Sequence, residues 1–115
     1  MTTSLDSVAS WQPIVSSENI PEGEIHAATF DDKRIAVYNV NGTFYATDNV
    51  CTHAFALLSD GLLADCVVEC PLHNARFDVR TGAVLASPAE RALECYPVRL
   101  NGDIVEVLLP TETDA

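Results

Sequence analysis

Cys51-Thr52-His53 is followed, after sixteen intervening residues, by Cys70-Pro71-Leu72-His73, and these two short stretches decide how the rest of the chain is read. Thiolate and imidazole are the usual protein ligands of iron–sulfur centres, zinc and copper. Alternate side chains of an extended backbone point the same way, so Cys51 and His53 face one site. Cys70 and His73 need a tight turn between them, which the fixed φ of Pro71 helps to set. Each pair follows a strand-like stretch, placing two loops side by side at one end of a β scaffold. A lone cysteine or histidine is most often a core residue; two such pairs at strand ends are not an accident of packing.

The scaffold around the pairs reads as short strands and turns. Ile25–Phe30 and Arg34–Val40 are rich in β-branched and aromatic residues, with Asp31-Asp32 as the turn between them. Asn41-Gly42 suits the positive φ angles of a tight hairpin, and Thr43–Thr47 is the returning strand. Asn101-Gly102 repeats the device between Leu93–Leu100 and Ile104–Leu109. Leu62–Glu69 is a further strand, and Phe77–Val79 runs into the turn Arg80-Thr81-Gly82. Helical periodicity is missing, with room for one helical turn at most in Leu57–Leu63. These features predict an all-β sandwich of small antiparallel sheets. A chain of 115 residues is one domain. Met1–Ser10 is expected to be a loose lead-in, Trp11–Leu109 the domain, and Pro110–Ala115 a fraying polar tail.

Six basic residues face seventeen acidic ones, a formal net charge of −11. Nucleic acid and anionic membrane would repel such a surface, so neither is an expected partner; a basic protein patch is. No apolar run is long enough for a membrane helix, and the N-terminus has neither the basic flank nor the apolar core of a leader. The cytoplasm is the expected location. In that reducing setting the four cysteines point to metal rather than to disulfides. Cys66 and Cys95 sit in ordinary strand-like surroundings and receive no role. His26 stands alone, as a surface or packing residue, and Trp11 reads as core or edge packing. Arg76 and Arg80 either orient a partner or pair with Glu69 and Asp78. The chain has no nucleophile elbow, phosphate loop or Ser–His–Asp arrangement, so it is not expected to be an enzyme by itself.

Taken together, Cys51-Thr52-His53, Leu58-Ser59-Asp60-Gly61, Glu69-Cys70-Pro71-Leu72-His73 and Arg76-Phe77-Asp78-Val79-Arg80-Thr81-Gly82 resemble the Rieske family. The likeness is greatest to the ferredoxin components of bacterial aromatic-ring-hydroxylating dioxygenase systems, and extends over roughly residues 11–109. Ser87-Pro88-Ala89 resembles the family's proline loop, and Tyr96-Pro97-Val98 with the following hairpin resembles its last strands. The resemblance implies a Rieske-like sandwich with two cluster-binding loops at one end and one [2Fe–2S] cluster. Cys51 and Cys70 would hold the inner iron, and His53 and His73 the outer one. Two neutral imidazoles in place of thiolates lessen the negative charge that an added electron meets, which raises the potential. It further implies a monomeric one-electron carrier between a flavin-containing reductase and a terminal oxygenase.

Two other classes compete with that reading. One is the small Rieske subunit of a larger oxidoreductase, such as a nitrite reductase. The other is a zinc-stabilised binding module, against which the absence of a Cys-x₂₋₄-Cys pair followed by His-x₃₋₅-His argues. The chain departs from the family pattern at Asn74, Ala75 and Asp65, where glycine is common. High-potential relatives also link the two loops by a disulfide, at positions matching Ala56 and Leu72. They place serine and tyrosine hydroxyls near the sulfurs, at positions matching Ala75 and Phe77. Lacking all of these, the chain is expected at the low end of the Rieske range of roughly −150 to +300 mV.

Overall fold

The computed structural model describes residues 9–52, 56–72, 75–86 and 91–110. Its organising element is β3 (Lys33–Val40), in which Ile35 through Asn39 are all buried. Successive side chains of a strand point to opposite faces. Accordingly Ile35 and Val37 enter one apolar core, with Ile20, Ala46, Val105, Val107 and Leu109. Ala36 and Tyr38 enter a second, with Cys51, Leu58, Val68, Cys70 and Phe77. A strand buried on both faces is the wall between two layers, and three sheets result.

The middle sheet runs in the order β2 (Ile25–Phe30), β3, β4 (Thr43–Asp48), β9 (Cys95–Tyr96). On one side lies the sheet β1 (Ala9–Ser16), β11 (Ile104–Pro110), β10 (Val98–Asn101). On the other lies the meander β5 (Leu62–Ala64), β6 (Val67–Glu69), β7 (Arg76–Asp78), β8 (Val84–Ala86). Every pairing is antiparallel. The all-β sandwich of small antiparallel sheets is therefore the fold. Among the described residues the helical content is two 3-10 turns, Ser17–Asn19 and Leu58–Asp60. The second falls within Leu57–Leu63, where the sequence leaves room for one.

Several strand expectations need correction. Leu62–Glu69 is not one strand but the hairpin β5–β6, because Asp65 adopts a left-handed φ of 53° and folds the chain back. Aspartate is among the few residues other than glycine that tolerate this region. Leu93–Leu100 is likewise divided. Tyr96 pairs with Ala46 of the middle sheet, whereas Val98 pairs with Val107 of the outer one. Pro97, with no N–H to continue a ladder, marks the transfer between sheets. β1 begins inside the expected lead-in and β11 ends on Pro110, while β1 and β8 carried no readable strand pattern. The two hairpins also differ. Asn41 and Gly42 both take positive φ (53° and 90°), as a type I′ turn requires. In the second, Gly102 and Asp103 are the central residues and Asn101 stays in β10, paired with Ile104.

Candidate metal centre

Cys51 follows β4 and Cys70 follows β6, both reach the same apolar core beside the middle sheet, and both loops close in the same way. The Cys51 N–H donates to the Ala56 carbonyl at 2.9 Å, and the Cys70 N–H to the Ala75 carbonyl at 2.8 Å. In each case the acceptor lies five positions along the chain, so each cysteine sits at the neck of its own loop. The first neck is extended by the pairing of Val50 with Leu57. The second is extended by Glu69 opposite Arg76 in the β6–β7 ladder. Thr52 ties the first loop outward, its hydroxyl donating to the Arg91 carbonyl at 2.8 Å.

The closure brings the two thiols together on an apolar floor. Cys51 is 4% exposed and Cys70 fully buried, in one core with Leu58, Val68, Ala75, Phe77 and Tyr38. They are neighbours at hydrogen-bonding range, and no disulfide joins any of the four cysteines. Burial pushes the Cys70 thiol up, and the Cys51 thiol adds to this, while the Leu72 N–H aimed at the Cys70 sulfur works the other way. A backbone donor directed at sulfur is a contact that a thiolate or a metal-bound sulfur would use. His53 and His73 lie outside the described residues, as do Asn74 and the Ser87-Pro88-Ala89 loop.

Other predicted residues fall elsewhere. Arg76 is within 3.8 Å of Glu69, and Arg80 grips Asp78 through two bonds of 2.9 and 3.1 Å, so the pairing alternative is realised for both. Trp11 lies on the edge strand β1, with the Arg99 guanidinium 4.3 Å from its ring centre. His26 is half-buried in β2. Cys66 and Cys95 are half-buried, and Cys66 packs against the core that contains Cys51 and Cys70. Sequence reasoning passed over Asn49, a 2% exposed residue beside the first neck whose side chain bonds Ser59 through both its oxygen and its nitrogen. Its only sequence signal is an amide at a strand end, because its partner lies ten residues away.

Two buried, adjacent thiols that are not joined in a disulfide fit the cysteine half of a [2Fe–2S] ligand set. An all-β domain that brings two loop cysteines together on an apolar floor suits an iron–sulfur class, and residues 10–97 match the Rieske [2Fe-2S] domain. The chain belongs to that family. Among curated relatives, the ferredoxin component of a naphthalene 1,2-dioxygenase system from Pseudomonas aeruginosa is 44% identical over 84% of this chain and 93% of its own. Among solved structures, a ferredoxin of Sphingomonas yanoikuyae B1 superposes with a TM-score of 0.82 at 33% identity, covering 90% of this chain and 100% of that one. A chain from the complex of reduced oxygenase and oxidized ferredoxin in carbazole 1,9a-dioxygenase gives a TM-score of 0.84 at 32% identity, covering 90% and 97%.

Proposed function

We propose that this chain is a soluble, cytoplasmic one-electron carrier. It takes an electron from a flavin-containing reductase and delivers it to the terminal oxygenase of an aromatic-ring dioxygenase system. The observation that carries this reading is the pair of buried, adjacent thiols of Cys51 and Cys70 at the necks of two identically closed loops, in a chain of the Rieske family. When bound, the cluster supplies reversible one-electron storage. Cys51 and Cys70 would hold it as thiolates, and His53 and His73 as neutral imidazoles. Leu58, Val68 and Phe77 keep water from the sulfur side, and the Leu72 N–H stabilises charge on the Cys70 sulfur. In this reading the electron leaves the cluster through His53 and His73, and a partner would dock there. An oxygenase as recipient is supported by the likeness to the ferredoxin–oxygenase complex. An electron carrier, rather than the oxygenase itself, is supported by curated relatives named as ferredoxin components.

The test is the composition and spectrum of the purified protein and its ligand variants. Iron and acid-labile sulfide in equal amounts, no zinc, and bleaching of the visible absorbance by one electron are expected. Cys51→Ser, Cys70→Ser, His53→Ala and His73→Ala should each lose iron and the native spectrum, since ligation and loop order are coupled. Retention of a native cluster by any one of them removes that residue from the set, and stoichiometric zinc in place of iron overturns the whole reading.

A further inference from the structure

Asn49 is not a ligand in the proposed set, yet four hydrogen bonds tie it to β3 and to the end of the first loop. Its N–H donates to the Arg34 carbonyl at 2.8 Å, anchoring it to β3. Its carbonyl accepts from the Leu58 N–H at 2.7 Å. Its side chain makes two more bonds to a single residue: Oδ1 accepts from the Ser59 N–H at 2.8 Å, and Nδ2 donates to the Ser59 hydroxyl at 2.9 Å. The Leu58 bond and both side-chain bonds join the beginning of the first loop to its end. A backbone ladder alone would permit slippage; a buried amide that must satisfy both its donor and its acceptor does not.

From Ser59 the constraint continues toward the second loop. Gly61 runs so close to β6 that a Cβ built on it would collide with the Glu69 carbonyl oxygen, and Glu69 immediately precedes Cys70. Asn49 stands two residues before Cys51. The side-chain bonds of Asn49 to Ser59, the short turn Leu58–Asp60 that runs on into Gly61, and the close approach of Gly61 to Glu69 therefore link the stem of one cysteine to the stem of the other.

We infer that Asn49 is a positioning residue that sets Cys51 against Cys70, and so governs how firmly the cluster is held and how well its sulfurs are shielded. The inference rests on the ligand set proposed above. Without the clamp the first neck loosens, water gains access to the sulfurs as a donor, and the reduced state is favoured.

The experiment compares Asn49→Ala and Ser59→Ala with Leu109→Ala, a core truncation in the other apolar cluster. Iron and sulfide content, reduced-state EPR line shape, midpoint potential and the rate of iron loss to a chelator are measured on each holoprotein. Asn49→Ala should lose iron about 10-fold faster or more, the usual scale for a residue supporting a ligand. Its EPR signal should broaden and its potential rise. Ser59→Ala, which keeps its own N–H bond to Asn49, should shift the same three readouts less. Should Asn49→Ala fail to fold, the Ser59→Ala series carries the same decision. Leu109→Ala should lower unfolding stability while leaving potential and line shape at their wild-type values. Wild-type values for Asn49→Ala and Ser59→Ala, or equal shifts in Leu109→Ala, overturn the positioning role. They leave the ligand set standing as long as Cys51→Ser abolishes the cluster; a native cluster in Cys51→Ser removes the ligand reading and this inference together.

Discussion

Ala75 and Phe77 are fully buried in the core that contains Cys70, and the Ala75 carbonyl closes the second loop. Neither side chain can donate a hydrogen bond, so the Leu72 N–H is the donor that the described residues direct at the Cys70 sulfur. A donor to sulfur withdraws electron density and favours the reduced state. Ala75→Ser and Phe77→Tyr each place a hydroxyl in this region. Both should raise the midpoint potential in protein-film voltammetry, and the double variant should have the highest value of the set. The wild type should fall in the lower part of the Rieske range, toward roughly −150 mV. A wild-type value near the top of that range, or no rise in the double variant, would mean that sulfur hydrogen bonding does not set the potential here. At this scale the sequence was informative wherever chemistry is carried by residue type. Cysteine, histidine and a missing hydroxyl can be read directly; the engagement of Asn49 with Ser59 cannot, because neither residue is unusual in its own surroundings.

Glycines separate two kinds of constraint on the strands and turns. Gly42 has a φ of 90° but open space where a Cβ would stand, so the turn demands only conformational freedom. Gly82 has a φ of 82° and also lies against the Leu93 backbone, where a Cβ would collide with the carbonyl oxygen that follows β8. Gly42→Ala should therefore cost about 1 kcal/mol, the scale of a left-handed backbone penalty. Gly82→Ala adds overpacking to that strain and should cost about 3 kcal/mol. Urea unfolding of the two variants measures the difference, and equal losses would contradict the close approach. Both glycines look alike in the sequence. Hairpins with Asn-Gly signals were legible because turn chemistry is local. The splitting of Leu62–Glu69 and of Leu93–Leu100 was not, since each apolar run is equally compatible with one strand or two. The decision came from Asp65 taking a positive φ and from Pro97 standing where two sheets meet.

The molecule as a whole is two apolar cores sharing β3, and only one of them contains the proposed cluster thiols. Removal of the cluster by a chelator should accordingly act unevenly. Amide hydrogen exchange should rise most in β5–β8 and at both loop necks, while β1, β10 and β11 keep most of their protection. Uniform loss of protection would show that the cores do not unfold separately. The net charge of −11 acts at the same scale. It should speed encounter with a basic partner, so electron-delivery rates should fall as ionic strength rises from low to physiological values. A flat or rising dependence would rule out electrostatic steering and leave the redox assignment untouched.

The sequence by itself determined the chemistry-bearing pairs Cys51/His53 and Cys70/His73 as the candidate ligands, the all-β class and the family, because ligand type, short spacing and hairpin turns are local properties. Tertiary structure alone decided that Cys51 and Cys70 lie side by side on one apolar floor and that β3 serves two cores. It also decided that Asn49 and Gly61 connect the stems of the two loops. Each of these depends on contacts between segments distant in the chain. Their geometry is settled by how three sheets stack, and no single stretch of sequence carries that information.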